Sequence, residues 1–273
     1  MRSLFKADSF TIEYNETNVE PSVVWEHHCH AQFEMIGVLE GDVTISIEGI
    51  PQHLVQNQAL IIPPLCYHTV TANQQGLYRR IMVWFETESI PTELRSLFSA
   101  ASSVATFSTP HLERLQQICT EHPSSLYAPL VNAIMIQSFY DDIAARQSDV
   151  PLEADDFLKI SISYIDTHLR EKISIDDLAE MTSRSRSSFC HLFEKKMKIA
   201  PKQYILQKKM ALANQLIDDG RLPTEVAATL GYENYSSFYR MYVKQYGVMP
   251  RNFSRHIQKS SRSVQKRSTS KQG

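Results

Sequence analysis

The chain has 273 residues and a formal net charge of −2, with 28 Lys and Arg against 30 Asp and Glu. It has no run of about 20 apolar residues that could cross a bilayer, its N-terminal stretch is too polar for a signal peptide, and its four cysteines form no C-x-x-C motif. These features argue against membrane, exported and disulfide-framework proteins, and predict a cytoplasmic protein with free thiols.

The charge is divided unevenly along the chain. Residues 1–151 hold 7 Lys and Arg against 17 Asp and Glu, a net charge of −10, whereas residues 152–273 hold 21 against 13, a net charge of +8. An acidic half joined to a basic half indicates that only the C-terminal half meets a polyanion. The alternative is that the basic excess is a solvated surface and a tail.

Residues 10–85 alternate in the manner of β-strands. The segments FTIEY, VTISIEG, ALIIP and RRIMVWF are rich in strand-forming residues. Residues that interrupt strands separate them, namely Gly41, Asp42, Gly49, Pro51, Pro63, Pro64 and Gly76. Many short strands at close spacing predict a small β-sandwich or barrel over residues 1–90.

Three histidines and a glutamate form a candidate site in this β-rich region. His28, His30 and Glu34 share the parity of one strand, so they are expected to point to the same side, and His68 comes from a later strand. Imidazoles and a carboxylate suit a divalent transition metal, and they also suit the polar lining of a small-molecule pocket. Nearby aromatic residues could stack on a compact ligand or simply fill the core: Trp25, Phe33, Tyr67, Tyr78 and Trp84.

From about residue 91 the pattern becomes helical. HLERLQQIC (111–119) places Leu112, Leu115, Ile118 and Cys119 on one side, and a long apolar run follows at 125–145. We expect residues 91–145 to mediate dimerisation, because the second run is too apolar to leave one face in water; the alternative is that they cover the barrel. The polar residues 146–152 are the predicted linker.

The C-terminal half contains the same short sequence pattern twice, over about 174–197 and 223–246. Each copy is an amphipathic run, a turn and a second run whose apolar residues recur at helical spacing. This is the helix-turn-helix layout. A helix over 204–217 joins the copies, a further helix over 155–170 precedes them, and residues 255–273 are a basic tail predicted to be disordered. The second runs are predicted to bury Phe189, Leu192, Phe193, Phe238, Met241 and Tyr242.

Residues 160–254 resemble the DNA-binding domain of the AraC/XylS family of bacterial transcription regulators. The second copy carries most of the resemblance, at Ala227, Gly231, Tyr232, Ser236, Phe238, Arg240, Tyr242, Lys244, Tyr246, Gly247, Pro250 and Phe253. The first copy departs from the pattern at Arg184, where an apolar residue is usual, at His191, where Arg is frequent, and at Lys198, where Gly is common. The resemblance implies an all-α domain over residues 153–254 that binds DNA.

The segments around His28 and His68 resemble the two motifs of the cupin barrel, the usual sensor of this family. In metal-binding cupins the positions of His28, His30, Glu34 and His68 hold the ion, but Leu65 replaces the usual glycine of the second motif. The predicted fold is therefore α+β with two domains: a cupin-like N-terminal β-barrel with helices behind it, then an all-α domain of two helix-turn-helix modules joined by a long helix.

The outward-facing residues at the N-terminal ends of the second helices are predicted to contact DNA. Arg can bind guanine and Asn can bind adenine through two hydrogen bonds, whereas Lys195 and Lys196 are expected to hold phosphates. The predicted DNA-contacting residues are Ser185, Arg186, Ser187, Cys190 and His191 in the first copy, and Asn234, Tyr235, Ser236, Tyr239, Arg240 and Lys244 in the second.

The leading interpretation is a non-enzymatic, sequence-specific transcription regulator, expected to be an activator that responds to a small-molecule effector in the N-terminal barrel. Its expected partners are double-stranded DNA, a second copy of the chain and RNA polymerase, with no membrane contact and no cofactor. Two alternatives remain open. One is a metal-dependent cupin enzyme or metal sensor with a DNA-binding domain, and the other is a ligand-independent regulator whose N-terminal domain only dimerises.

Overall fold

The structure is a computed structural model that describes residues 2–6, 10–25, 28–90, 92, 104–106, 109–121 and 156–250. The chain divides into two compact units, Met1–Ala154 and Asp155–Gly273. The first is built on antiparallel sheets and the second on helices, so the predicted α+β architecture is confirmed. The predicted second apolar run at 125–145, the linker at 146–152 and the tail at 255–273 lie outside the described residues.

The described strands of the first unit form two sheets. The larger sheet has the order β1-β2-β8-β3-β6-β9 and the smaller sheet the order β5-β4-β7, and every pairing is antiparallel. The strands are β1 (Arg2–Lys6), β2 (Phe10–Val19), β3 (Phe33–Glu40), β4 (Asp42–Ile47), β5 (Ile50–Val55), β6 (Gln58–Ile62), β7 (His68–Ala72), β8 (Gly76–Phe85) and β9 (Val104–Thr106).

The larger sheet is buried on both faces, against different partners. On β8, Ile81 and Val83 join a core with helix α1 (Thr109–Glu121), while Tyr78 and Met82 join a core shared with the smaller sheet. This follows from the alternation of side chains along a strand. The predicted apolar side of α1 is confirmed, since its members are all buried: Leu112, Leu115, Ile118 and Cys119.

Several strands were not predicted from the sequence. Strand β3 is buried along nearly its whole length, so it lacks the alternation by which a half-exposed strand is recognised. Strand β9 occupies part of the region predicted to be helical, and it pairs with β6 at the sheet edge. Two residues expected to interrupt strands, Pro51 and Gly76, lie instead at strand ends, in β5 and β8.

The second unit consists of six described helices. They are α2 (Asp156–Thr167), α3 (Ile175–Met181), α4 (Arg186–Met197), α5 (Pro201–Asp218), α6 (Pro223–Thr229) and α7 (Tyr235–Tyr246). Helices α3 and α4 form the first module and α6 and α7 the second, as the two copies predict. No helix within the described ranges is long and apolar enough to cross a membrane.

Helix α5 packs against both modules. Tyr204 near its N-terminus contacts the ring of Phe193 in α4, with ring centroids 5.3 Å apart. Further along, Met210 and Leu216 join the core of the second module. Side chains of α5 are therefore buried on more than one face of the helix.

Two of the predicted buried residues in the second helices are not fully buried. Met241 is exposed, with a relative accessibility of 39%, and Leu192 is half-buried. Both positions lie one residue before a fully buried aromatic residue, Tyr242 in α7 and Phe193 in α4. In each helix the buried aromatic side chains fill the contact with α5, so the preceding residue falls at the edge of that contact.

Candidate functional site

Each candidate DNA-reading helix begins at a side chain that caps it. The hydroxyl of Ser185 accepts a hydrogen bond from the amide of Ser188 at 3.3 Å, and the Asn234 side-chain oxygen accepts one from the amide of Ser237 at 2.9 Å. Such caps satisfy amides that have no partner within the helix. Helix α7 therefore begins at Tyr235, and the side-chain oxygen of Asn234 is already engaged in capping it.

The predicted DNA-contacting residues lie along one exposed region of each second helix. Two of them, Cys190 and Tyr239, are half-buried, because they flank the buried aromatic residues Phe189 and Phe238. The exposed members are Ser185, Arg186, Ser187, His191, Asn234, Tyr235, Ser236, Arg240 and Lys244.

The two candidate base-reading arginines differ in their surroundings. In α4, Nη1 of Arg186 lies 2.5 Å from the carboxylate of Asp176 in α3. In α7, Arg240 makes only a long contact of 3.5 Å with the Ser237 hydroxyl. DNA must therefore compete with Asp176 for Arg186, whereas Arg240 is already extended into solvent.

Two departures of the first copy from the family pattern have structural explanations. The guanidinium of Arg184 lies over the Phe157 ring of α2, 5.3 Å from its centroid, so its long side chain covers the core that an apolar residue would fill. Lys198 ends α4 with a φ of 58°, the left-handed conformation that Gly247 adopts at the end of α7 with a φ of 69°. Neither departure alters the module.

The second turn contacts the loop that joins α2 to the first module. Gly231, at the second turn, has a φ of 76°, and a β-carbon added there would lie 3.1 Å from the backbone carbon of Glu171. Lys209 of α5 lies beneath this contact, 8% exposed, and its ammonium donates to the carbonyl oxygens of Glu171 at 2.5 Å and Leu230 at 2.8 Å. Burial lowers the pKa of Lys209.

Lys209 was not predicted to be a functional residue. Its position in a largely apolar helix was the available signal, because a lysine among buried residues requires a partner. Its two acceptors come from the loop before the first module and from the end of α6, and these are contacts between residues distant in sequence. The residue therefore holds the second turn against the loop between α2 and α3.

The structure brings together the four residues of the candidate metal or effector site. One ligand atom from each of His28, His30, Glu34 and His68 lies within 4.8 Å of all the others. Glu34 and His68 are almost fully buried, with 2% and 1% exposure. His28 and His30 are not in a regular strand as predicted: His28 forms an isolated bridge with His68, and the chain bends at residues 31–32 before β3 begins.

Backbone carbonyl groups orient two of the histidine rings. Nδ1 of His30 lies 2.9 Å from the carbonyl oxygen of Gln32, and Nδ1 of His68 lies 2.9 Å from that of Cys66. Because a carbonyl only accepts, each Nδ1 carries a proton. Each Nε2 then faces the same carboxylate oxygen of Glu34, at 2.9 Å from His30 and 3.1 Å from His68.

This arrangement requires positive charge between the rings and the carboxylate. A neutral ring protonated at Nδ1 directs the Nε2 lone pair at a negatively charged oxygen, which is repulsive unless a proton or a cation lies between them. Nε2 of His68 is buried and makes no hydrogen bond of good geometry. The donor set therefore fits either imidazolium ions or a divalent ion held by the four side chains.

The buried carboxylate is stabilised in its charged form. Burial by itself would raise the pKa of Glu34, but the hydrogen bond from His30 and the close contact of His68 hold it well below its usual value. For His68 the balance is the reverse: burial would lower its pKa, and Glu34 raises it above the usual value. The cluster thus concentrates opposite charges in the space between the two sheets.

Leu65 takes the conformation that a glycine would give to the second motif. Its φ is 61°, and its amide donates to the carbonyl oxygen of His30 at 2.7 Å. The turn that precedes His68 is therefore formed despite the absence of glycine, and it ties the two histidine segments together. The replacement at this position does not disrupt the site.

Comparison with known proteins identifies the C-terminal unit. A family model for a helix-turn-helix domain matches residues 178–256. Over 92 residues, or 33% of this chain, the sequence is 37% identical to a probable transcriptional regulator, LumQ, of Photobacterium leiognathi. Over 229 residues, or 84% of this chain, it is 24% identical to an uncharacterized HTH-type transcriptional regulator, YobQ, of Bacillus subtilis.

A third relative is the XylDLEGF operon transcriptional activator of Pseudomonas putida, 29% identical over 102 residues, or 36% of this chain. These matches span 37%, 88% and 32% of the lengths of the three relatives. Residues 178–256 therefore form a helix-turn-helix domain, and the relatives that the chain matches are named as transcriptional regulators or activators.

Proposed function

We propose that the protein binds specific DNA sites through helices α4 and α7, and that a small molecule bound in the N-terminal unit controls this binding. The observation that carries the DNA-binding part is the pair of capped helices whose N-terminal residues are exposed while their aromatic residues are buried. A relative that is an operon activator supports activation as the sense of control.

The first test is the salt dependence of DNA binding by the full-length protein. Contacts with about six phosphates would give a slope near −5 when the logarithm of the association constant is plotted against the logarithm of salt concentration. The measurement is a fluorescence anisotropy titration on a selected genomic site and on random duplex DNA. A flat salt response, or equal affinity for both DNAs, would contradict the proposal.

The second test separates base reading from phosphate binding. Arg240→Ala is expected to weaken binding to the best site by roughly 1–3 kcal/mol and to relax the preference at one base pair. The reason is that Arg240 is exposed and forms no ion pair with a described carboxylate, whereas Arg186 pairs with Asp176. Lys244→Ala is the matched control in the same helix, and it should weaken binding to all sequences about equally. Unchanged affinity in a folded Arg240→Ala protein would remove Arg240 from the base-reading set.

A divalent ion at the histidine cluster is a second candidate function of the first unit. Two observations favour it: the carbonyl partners of Nδ1 in His30 and His68, and the glycine-like turn at Leu65. Carbonyl partners of this kind commonly orient metal-binding histidines. His28, His30, Glu34 and His68 would hold the ion, which would supply a fixed positive charge beside Glu34.

Elemental analysis of protein made without a histidine tag tests this candidate. The sequence-based expectation is less than one tightly held ion per chain, whereas this candidate requires close to one divalent ion per chain in the parent protein. It requires the same in His53→Ala, whose exposed ring pairs only with Asp42 among the described residues. The ion should be lost in His30→Ala and His68→Ala. Metal-free parent protein whose DNA-binding response disappears in both variants, with folding intact, would instead support an effector pocket lined by histidine. Turnover of a metabolite that requires the ion would favour the enzymatic alternative.

A further inference from the structure

Two neighbouring arginines on β8 have opposite surroundings. Arg79 lies on one face of the larger sheet, where it contacts the carboxylates of Glu40 at 3.4 Å and Glu16 at 3.9 Å and donates to the Tyr14 hydroxyl at 3.2 Å. Arg80 points to the other face, into the space between the two sheets, together with Tyr78 and Met82. Only the first arginine has the acidic partners that a partly buried cation requires.

The surroundings of Arg80 are aromatic. The carbon at the centre of its guanidinium lies 5.0 Å from the centroid of the Trp25 ring and 5.2 Å from that of the Tyr78 ring. The two rings are themselves 5.4 Å apart. Cation–π contacts stabilise a guanidinium but satisfy none of its N–H groups. Within the described ranges, no carboxylate lies within ion-pair distance of Arg80.

Two polar atoms at this position are buried and make no hydrogen bond of good geometry, although the Arg80 guanidinium lies close to the Tyr78 hydroxyl. They are Nε of Arg80 and the hydroxyl oxygen of Tyr78, a residue with only 1% exposure. Burial raises the pKa of Tyr78, and the nearby guanidinium only partly offsets this. A buried donor without a partner is destabilising, and more so when it is charged. Such groups in a native protein are usually met by a ligand, an ion or ordered water, or they have a functional role.

We propose that Arg80 and the Tyr78 hydroxyl bind the carboxylate group of the small-molecule effector, in the space between the two sheets. The guanidinium offers a planar fork of N–H donors that matches a carboxylate, and the Tyr78 hydroxyl supplies a further donor. The rings of Trp25 and Tyr78 would contact the apolar part of the same molecule. This inference rests on the proposed effector control and names the chemical class of the effector.

The charge pattern of the interior also favours an anion beside Arg80. Glu34 is the carboxylate that faces the same space, and its contacts are with His30 and His68. The acidic residues around Arg79, by contrast, lie on the opposite face of the sheet. Arg80 is therefore left as a half-buried cation without an acidic partner among the described residues, and a carboxylate bound at its buried Nε gains more than it would in water.

The test is a tryptophan fluorescence titration of the full-length protein, because Trp25 contacts Arg80 directly. The probes are acetate, butyrate and 3-phenylpropionate, each compared with its carboxamide, and inorganic phosphate as the other common oxyanion. We expect at least one carboxylate to bind and its carboxamide to bind at least ten-fold more weakly. Arg80→Met should weaken carboxylate binding at least ten-fold, and Tyr78→Phe several-fold.

Arg79→Met is the matched control, since it removes the neighbouring cation on the opposite face and should leave carboxylate binding within two-fold. Without ligand, the thermal midpoint followed by tryptophan fluorescence should be unchanged or raised in Arg80→Met, because an unpartnered donor is removed, and a clear fall would count against the inference. It is overturned if no probe carboxylate binds, if phosphate alone binds, if carboxamides bind equally well, or if Arg80→Met binds as the parent does.

The two proposals fail in different ways. A protein that binds a carboxylate through Arg80 but shows the same DNA affinity with and without it would retain this inference and lose effector control. A protein whose DNA affinity responds to a neutral ligand, with Arg80→Met responding equally, would retain effector control and overturn this inference.

Discussion

Gly231→Ala is expected to lower the free energy of unfolding of the second unit by roughly 2–4 kcal/mol. A left-handed φ costs a residue with a β-carbon about 1–2 kcal/mol. At Gly231 the new methyl group would also meet the backbone of Glu171 and Lys172, at 3.1 and 3.3 Å. A backbone cannot move aside as the end of a flexible side chain can, so the contact between the second turn and the loop before α3 must open.

Gly247→Ala is the control for this experiment. Gly247 has a φ of 69°, close to the 76° of Gly231, but a β-carbon added there meets nothing within 4 Å. Its expected cost is therefore only about 1 kcal/mol, from the backbone conformation alone. Equal losses in the two variants would show that conformation, and not the contact with Glu171, determines the requirement for glycine at the second turn.

The two units can be followed separately in the same sample. Both tryptophans, Trp25 and Trp84, lie in the first unit, whereas the second is helical and dominates the far-ultraviolet circular dichroism signal. Gly231→Ala should shift the circular dichroism transition and leave the tryptophan fluorescence transition in place. A shift of both transitions would contradict an effect confined to the second unit.

Lys209→Met should produce the other large loss, roughly 2–3 kcal/mol of unfolding free energy in the same unit. The ammonium donates to the carbonyl oxygens of Glu171 and Leu230, and methionine fills similar space without donating. Two carbonyl groups then lose a charged partner where the end of α6 meets the loop before α3. Because the side chain keeps most of its volume, the loss reports the hydrogen bonds more than a cavity.

Lys202→Met tests whether any lysine of α5 has this effect. Lys202 is exposed on the same helix, and surface substitutions of this kind usually change stability by less than about 0.5 kcal/mol. Urea unfolding followed by circular dichroism measures both variants. DNA binding adds a second result: Lys209→Met should weaken binding to a site that engages both modules more than binding to a half-site. An equal loss of affinity for both DNAs would indicate that Lys209→Met destabilises the second unit without changing the orientation of one module relative to the other.

The helix-turn-helix unit follows largely from local sequence. Apolar residues at helical spacing, capping residues such as Ser185, and the turn at Gly231 are short-range signals, and each acts within a few residues of its position. For this reason the predicted ranges of the two modules, about 174–197 and 223–246, agree with the observed helices. Asn234 was predicted to contact DNA, and its side chain caps α7.

The sequence by itself determined the two-part architecture, the paired modules and the four residues of the histidine cluster, because these depend on periodicity, spacing and residue type. Only the tertiary structure decided which polar groups lack partners and which form ion pairs or hydrogen bonds. Arg79 and Arg80 are adjacent and identical in type, yet one faces Glu40 and the other faces two aromatic rings. Lys209 and Glu171 meet across 38 residues of chain. Such contacts depend on how distant segments pack, and no local pattern encodes them.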